Sequence, residues 1–138
     1  MHDTTIEIAA TPEAVWAVLS DVRAWPAWDS GVTSVDGTLA LGERITVSVA
    51  ANPGRSFPLE VTELRPPHRM VWTGGRPLGL FRGERTYTVE PVDGGGSRFR
   101  MTERFSALLA GLITRRIPDL QPSFDRFAAG LRATVEAD

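Results

Sequence analysis

The chain has 138 residues, the size of one domain, and 42% of them are hydrophobic against 23% charged, which excludes a disordered polymer. Its formal net charge is -2 and its basic residues are scattered, which argues against a nucleic-acid partner, since phosphate binding needs clustered positive charge. It has no cysteine, so disulfides, thiolate metal sites and cysteine nucleophiles are excluded.

Thr4 to Ala9 reads as a first strand. Thr11-Pro12-Glu13 is then a helix start: a threonine cap, proline in the first helical position, and an acid near the positive end of the dipole. Val15, Trp16, Leu19 and Val22 give an apolar face at helical spacing. Asp21 can cap a second short helix that ends near Trp25-Pro26, where proline disfavours helical geometry in the residue before it. Trp25, Pro26 and Trp28 read as a packed corner, and Asp29 as a turn residue.

From Val32 to Phe105 the period is two. Ile45, Val47 and Val49 alternate with polar residues, as do Phe57, Leu59 and Val61; Met70 and Trp72 flank Val71. Glycine and proline clusters separate these runs, which predicts an antiparallel meander. In the last hairpin a turn near Gly94 pairs Val89 with Phe99, Tyr87 with Met101, Arg85 with Glu103 and Gly83 with Phe105. The other face then pairs Glu90 with Arg98, Thr88 with Arg100, Thr86 with Thr102 and Glu84 with Arg104. A one-residue slip would destroy both patterns.

Helical spacing returns in Ile113, Ile117, Leu120, Phe124, Phe127, Leu131 and Val135. Pro118 and Pro122 interrupt it. The spacing predicts a helix over Ala107–Ile117, a break near Pro118-Asp119, and a second helix to Glu136; a kinked continuous helix is the alternative. The whole is one α+β domain, residues 1–138, with helices on one face of a sheet of about seven strands. A curved sheet around a long helix leaves a natural ligand cavity.

This order, with four local segments, resembles the helix-grip fold of the birch-pollen-allergen and START lipid-transfer proteins, in the polyketide cyclase/dehydrase-like branch of that superfamily. The segments are Thr11 to Asp21, Trp25-Pro26-Ala27-Trp28, Glu90 to Gly95, and Glu103 to Leu109. At Ala107 relatives often carry glycine. The resemblance spans nearly the whole chain. It implies a cavity between sheet and C-terminal helix, lipid, aromatic or polyketide-like ligands, and no particular reaction.

Arg85 and Glu103 are charges on an otherwise apolar face, economical only as a mutual ion pair. They are either a polar anchor for a ligand's carboxylate, phenolate or carbonyl, or a structural pair at the sheet's open end. A facing arginine works against Glu103 as a proton-abstracting base, which leaves enolate stabilisation by Arg85 as the enzymatic option. Met70, Trp72, Tyr87 and Met101 share that face and either line a pocket or fill the core. Phe105, Leu112 and Phe124 complete the expected ligand-binding set, and Arg85, Glu103 and Tyr87 are the catalytic candidates.

Pro77-Leu78-Gly79-Leu80-Phe81 is an apolar loop. With Leu108, Leu109, Leu112 and Ile113 it forms a cavity lip, a dimer contact or plain packing. His2 and His68 lack companions at metal spacing, and no dinucleotide, phosphate-loop or serine-elbow motif is present, so neither a metal nor a cofactor is expected. Arg115-Arg116 reads as a solvated helix face. No apolar run is long enough to span a membrane, and the start lacks the basic-then-apolar pattern of a leader, so a cytoplasmic protein is expected, monomer or homodimer. Three functions remain open: a binding module for a small hydrophobic ligand, a cyclase or dehydratase, and a protein-interaction module.

Overall fold

Thr11 starts the first helix as its position predicts. Its backbone is extended, its Oγ1 accepts a hydrogen bond from the Ala14 N–H at 3.2 Å, and Pro12 follows in the first turn. The computed structural model describes residues 2–50, 54, 56–76, 81–106 and 121–137. In it β1 (His2–Ile8) leads to α1 (Pro12–Ser20) and then to a 3-10 helix, Val22–Ala27. Asp21 precedes that helix, but its side chain makes no capping bond; its carbonyl accepts the Ala24 N–H at 3.0 Å, as a tight three-residue turn allows. Pro26 lies inside the short helix rather than after it, because a turn this brief forfeits little when one N–H is missing.

The period-two segments form β2 (Val32–Gly37), β3 (Arg44–Val49), β4 (Ser56–Arg65), β5 (Arg69–Arg76), β6 (Phe81–Pro91) and β7 (Ser97–Ser106). The sheet order is β1-β7-β6-β5-β4-β3-β2, and every neighbouring pair is antiparallel. The meander therefore runs from β2 to β7, and β1 adds to the β7 edge. The register of the β6–β7 hairpin is the one that the alternation dictates in all eight predicted pairs. Its turn uses Gly94 and Gly95 at φ +93 and +89, a region that other residues seldom adopt.

The C-terminal helix α2 is described over Gln121–Glu136, with Phe124, Phe127, Leu131 and Val135 buried on one face. Pro122 sits in its first described turn. The expected helix over 107–117, the break at Pro118, residues 77–80 of the apolar loop and Arg115-Arg116 lie outside the described residues, whereas Phe81, read as the end of that loop, begins β6.

The inward faces of sheet and helices meet in one core, with Ile8, Leu19, Ile45, Val61, Val89 and Leu131 among its fully buried members. Two residues depart from simple alternation. Val71 is buried although it faces outward, because Glu63 and Thr86 stand opposite it on the flanking strands, where a bulge follows Val61. Phe57 faces inward at the start of β4 yet is 38% exposed, since α2 packs against β1 and β7 at the opposite edge of the sheet.

Candidate functional site

The central strands carry one polar row across the concave face. Register sets Trp72 on β5 opposite Arg85 on β6, and Arg85 opposite Glu103 on β7. The Arg85 Nε and Nη2 both donate to Glu103 Oε2, at 2.9 and 2.6 Å. A fork closed on a single oxygen is a strong charge-assisted contact, and it leaves Arg85 Nη1 and Glu103 Oε1 without a partner among the described residues. The side chains are 22% and 10% exposed, so the pair is enclosed but not sealed. From the helix side, the Phe124 ring lies under the guanidinium with its centroid 5.1 Å from Cζ, a cation–π contact.

One step along β6, Tyr87 is fully buried, with its hydroxyl beside the guanidinium but in no hydrogen bond of good geometry. Burial pushes this phenol above its ordinary value of 10.0, and the pull of Arg85 in the other direction does not prevail. Tyr87 is therefore a neutral donor at physiological pH. Burial also works against the charge on Arg85, but Tyr87 once ionised and the Glu103 carboxylate outweigh it and hold the guanidinium above the usual arginine range. The Trp72 Nε1–H is likewise buried without a partner. A buried unpaired donor costs about 1–3 kcal/mol; Tyr87 holds one beside the ion pair, and Trp28 Nε1 in the packed corner is a third in the chain's described residues.

Below this row the interior is filled. Trp25 stacks on Trp72 at 5.2 Å with 14° between planes, and its Nε1 donates to the Leu19 carbonyl at 3.0 Å. Phe127 meets Trp25 edge-on at 4.8 Å and lies 5.9 Å from Tyr87. Met70 and Met101 are buried in the row of Tyr87. Trp25 and Trp28 thus form the packed corner that their motif suggested. Phe127, by contrast, enters the aromatic cluster without having been singled out; only its place in the tail's apolar stripe pointed inward. Asp29 accepts a hydrogen bond from Arg126 Nε at 2.7 Å and ties that corner to α2. Of the remaining expected site residues, Phe105 stands opposite Gly83 in the register. The Phe105 side chain and Leu112 lie outside the described set.

The family of polyketide cyclases/dehydrases and lipid-transport proteins matches residues 2–136. The chain belongs to this family. An uncharacterised protein of Mycobacterium tuberculosis is 29% identical over 96% of this chain and 83% of the relative. A START superfamily protein of Mycobacterium smegmatis superposes with a TM-score of 0.68 at 17% identity, over 98% of this chain and 96% of that one. Norcoclaurine synthase from Thalictrum flavum, solved with dopamine and hydroxybenzaldehyde, superposes with a TM-score of 0.72 at 12% identity, over 98% of this chain and 85% of that one. Such identities establish the fold alone: the seven-stranded curled sheet gripping a C-terminal helix, as the sequence order implied.

In this polyketide cyclase-family chain the outer face of the sheet carries a hollow. It is a polar groove of about 280 Å³ between Arg69, Arg100, Arg104 and the threonines of β6 and β7. Two of its arginines are already engaged, Arg69 with Glu63 at 2.9 Å and Arg100 with Asp3 at 2.6 Å. It is on the opposite face of the sheet from the Arg85 row and shares no residue with it. Among the described residues no group of three or more potential ligands could hold a metal, and the His68 ring is bonded to the Val89 carbonyl at 3.1 Å. No described helix is long and apolar enough to cross a membrane.

Proposed function

We propose that the protein binds a small hydrophobic molecule between the concave face of the sheet and the C-terminal helix, with the molecule's polar end at Arg85 and Glu103. The observation that carries this reading is the ion pair itself, half-closed on a single carboxylate oxygen inside an apolar face. An enclosed pair stabilises a fold no better than well-packed apolar side chains of similar size. Its presence is economical when the unused edge serves a ligand. The family's description, which joins cyclases with lipid transport, supports a hydrophobic ligand, and the dopamine and hydroxybenzaldehyde of norcoclaurine synthase are small aromatic examples on the same fold.

A second reading is favoured by the neutral Tyr87 hydroxyl beside Arg85: the two donors would stabilise an enolate, as a cyclase or dehydratase requires. The two readings separate on turnover of whatever compound is bound.

Native mass spectrometry of the purified protein, with extraction and identification of any bound molecule, tests the proposal and also reports monomer or homodimer. An aromatic or acyl compound retained by wild type and absent from the double variant Arg85→Met/Glu103→Leu is the expected result. An apo mass that no hydrophobic compound shifts would turn the assignment toward a protein-interaction module.

A further inference from the structure

The groove on the outer face of the sheet is built from short side chains ringed by long ones. Alternation along the strands leaves Thr86, Thr88 and Thr102 in its middle. Arg69 and Arg100 stand opposite Thr88 on the two flanking strands, and Glu84 faces Arg104 one row beyond Thr86 and Thr102. The result is a hollow of about 280 Å³, room for one small molecule.

Much of its hydrogen-bonding capacity is open. Glu63 accepts from Arg69 through Nε, at 2.9 Å, which leaves both terminal nitrogens of Arg69. Asp3 accepts from Arg100 Nε and Nη2, at 3.1 and 2.6 Å, which leaves Nη1. The three threonine hydroxyls, the Arg104 guanidinium and the Glu84 carboxylate have no partner among the described residues. Glu63 and Asp3 thus fix two guanidiniums at the rim, and donors held in place in advance lose less on binding.

Charge and donor count narrow the occupant. Arg65 shares Glu63 with Arg69, at 3.2 Å. Arg65, Arg69, Arg100 and Arg104 therefore give four positive charges, against three negative from Glu63, Asp3 and Glu84. Farther along the hairpin, Arg98 has Glu90 opposite it and Glu7 at 3.6 Å. A surplus of one suits a singly charged anion. The threonines donate and accept, and Glu84 accepts, so the body of that anion should carry hydroxyl groups.

We propose that this groove binds small polyhydroxylated monocarboxylates, the class of sugar acids, with the carboxylate on the arginines and the hydroxyl groups on the threonines and Glu84. The site is independent of the concave face.

The test is an amide NMR titration of the full chain at low, matched ionic strength. The probes are gluconate, sorbitol (the same hydroxyls without the charge), hexanoate (the charge without the hydroxyls) and inorganic phosphate. Gluconate is expected to shift the Thr86, Thr88, Thr102 and Arg104 amides saturably, more tightly than any other probe, and less tightly as salt is added. Arg104→Gln, which strands no partner, should weaken gluconate about threefold, the scale of one exposed charge contact. Arg85→Met/Glu103→Leu, on the other face, should leave gluconate binding unchanged. Phosphate or hexanoate shifting these amides as tightly as gluconate would reduce the groove to a general anion patch and overturn the proposal. Sorbitol matching gluconate, Arg104→Gln without effect, or no saturable shift would overturn it as well. None of these results bears on the concave-face reading, which fails only on its own mass-spectrometric test.

Discussion

Arg85 and Glu103 depend on each other at the level of single atoms. Removing the guanidinium alone strands a carboxylate that is 10% exposed, and removing one partner of an enclosed pair costs about 3–5 kcal/mol. Arg85→Ala should therefore lower the denaturation midpoint strongly. Arg85→Met/Glu103→Leu, which replaces both charges with apolar groups of similar size, should return stability to within about 1.5 kcal/mol of wild type. A double variant as unstable as the single one would show that the pair holds the fold for another reason, and a single variant without cost would show that water already reaches Glu103. The pair itself was legible in the sequence, because two charges in register on an apolar face have no other economical arrangement. What the two side chains leave over was not legible. That both arginine bonds close on Oε2, and that the Tyr87 hydroxyl stays unpaired beside them, depends on rotamers that residue spacing does not specify.

The same division holds for the elements. The β6–β7 hairpin could be set in register because apolar pairs on one face and opposite charges on the other both fail under a one-residue slip. The threonine cap of α1 was equally plain, since its partner N–H is three residues away in the chain. Contacts between distant elements leave no such local mark. Gly130 in α2 is an example. A Cβ at this position would stand 2.1 Å from the Asp29 carbonyl oxygen and 2.7 Å from its carbon. Glycine is therefore what lets α2 lie against the chain that follows the 3-10 helix, next to the Arg126–Asp29 bond. In an ordinary helix interior Gly→Ala stabilises by about 1 kcal/mol. Here Gly130→Ala should instead destabilise by about 1–3 kcal/mol, the usual result of forcing an extra group into a packed contact, and chemical denaturation will read the sign. A gain in stability would mean that α2 can shift away from Asp29 at no cost.

At the scale of the whole molecule, β1 is the strand that ties the sheet to the helix. Its Asp3 carboxylate takes two hydrogen bonds from Arg100 on β7, at 3.1 and 2.6 Å. Its Thr4 hydroxyl donates to Asp125 on α2 at 2.6 Å, and Gln121 Nε2 donates to the Asp3 carbonyl, to Thr4 and to Asp125. The reading of Thr4 to Ala9 as a strand did not show this anchorage, which joins residues 97 and 121 positions apart. Its electrostatics give a pH dependence. Hydrogen bonding to Arg100 lowers the Asp3 carboxyl below its ordinary 3.8, and the Thr4 and Gln121 bonds do the same for Asp125. In both cases the unfolded chain binds a proton more readily than the folded one. The stability they contribute is therefore present above the unfolded value of 3.8 and is lost as pH falls through the lower folded values. Both carboxylates lie near the surface, so salt should weaken the effect. The denaturation midpoint of wild type should fall as pH is lowered below about 4 at low ionic strength. Asp125→Asn keeps the side-chain shape and removes one of the two titrating groups, so its midpoint should fall less steeply over the same window. A variant whose pH profile runs parallel to wild type would show that the contact between β1 and α2 does not depend on the Asp125 charge.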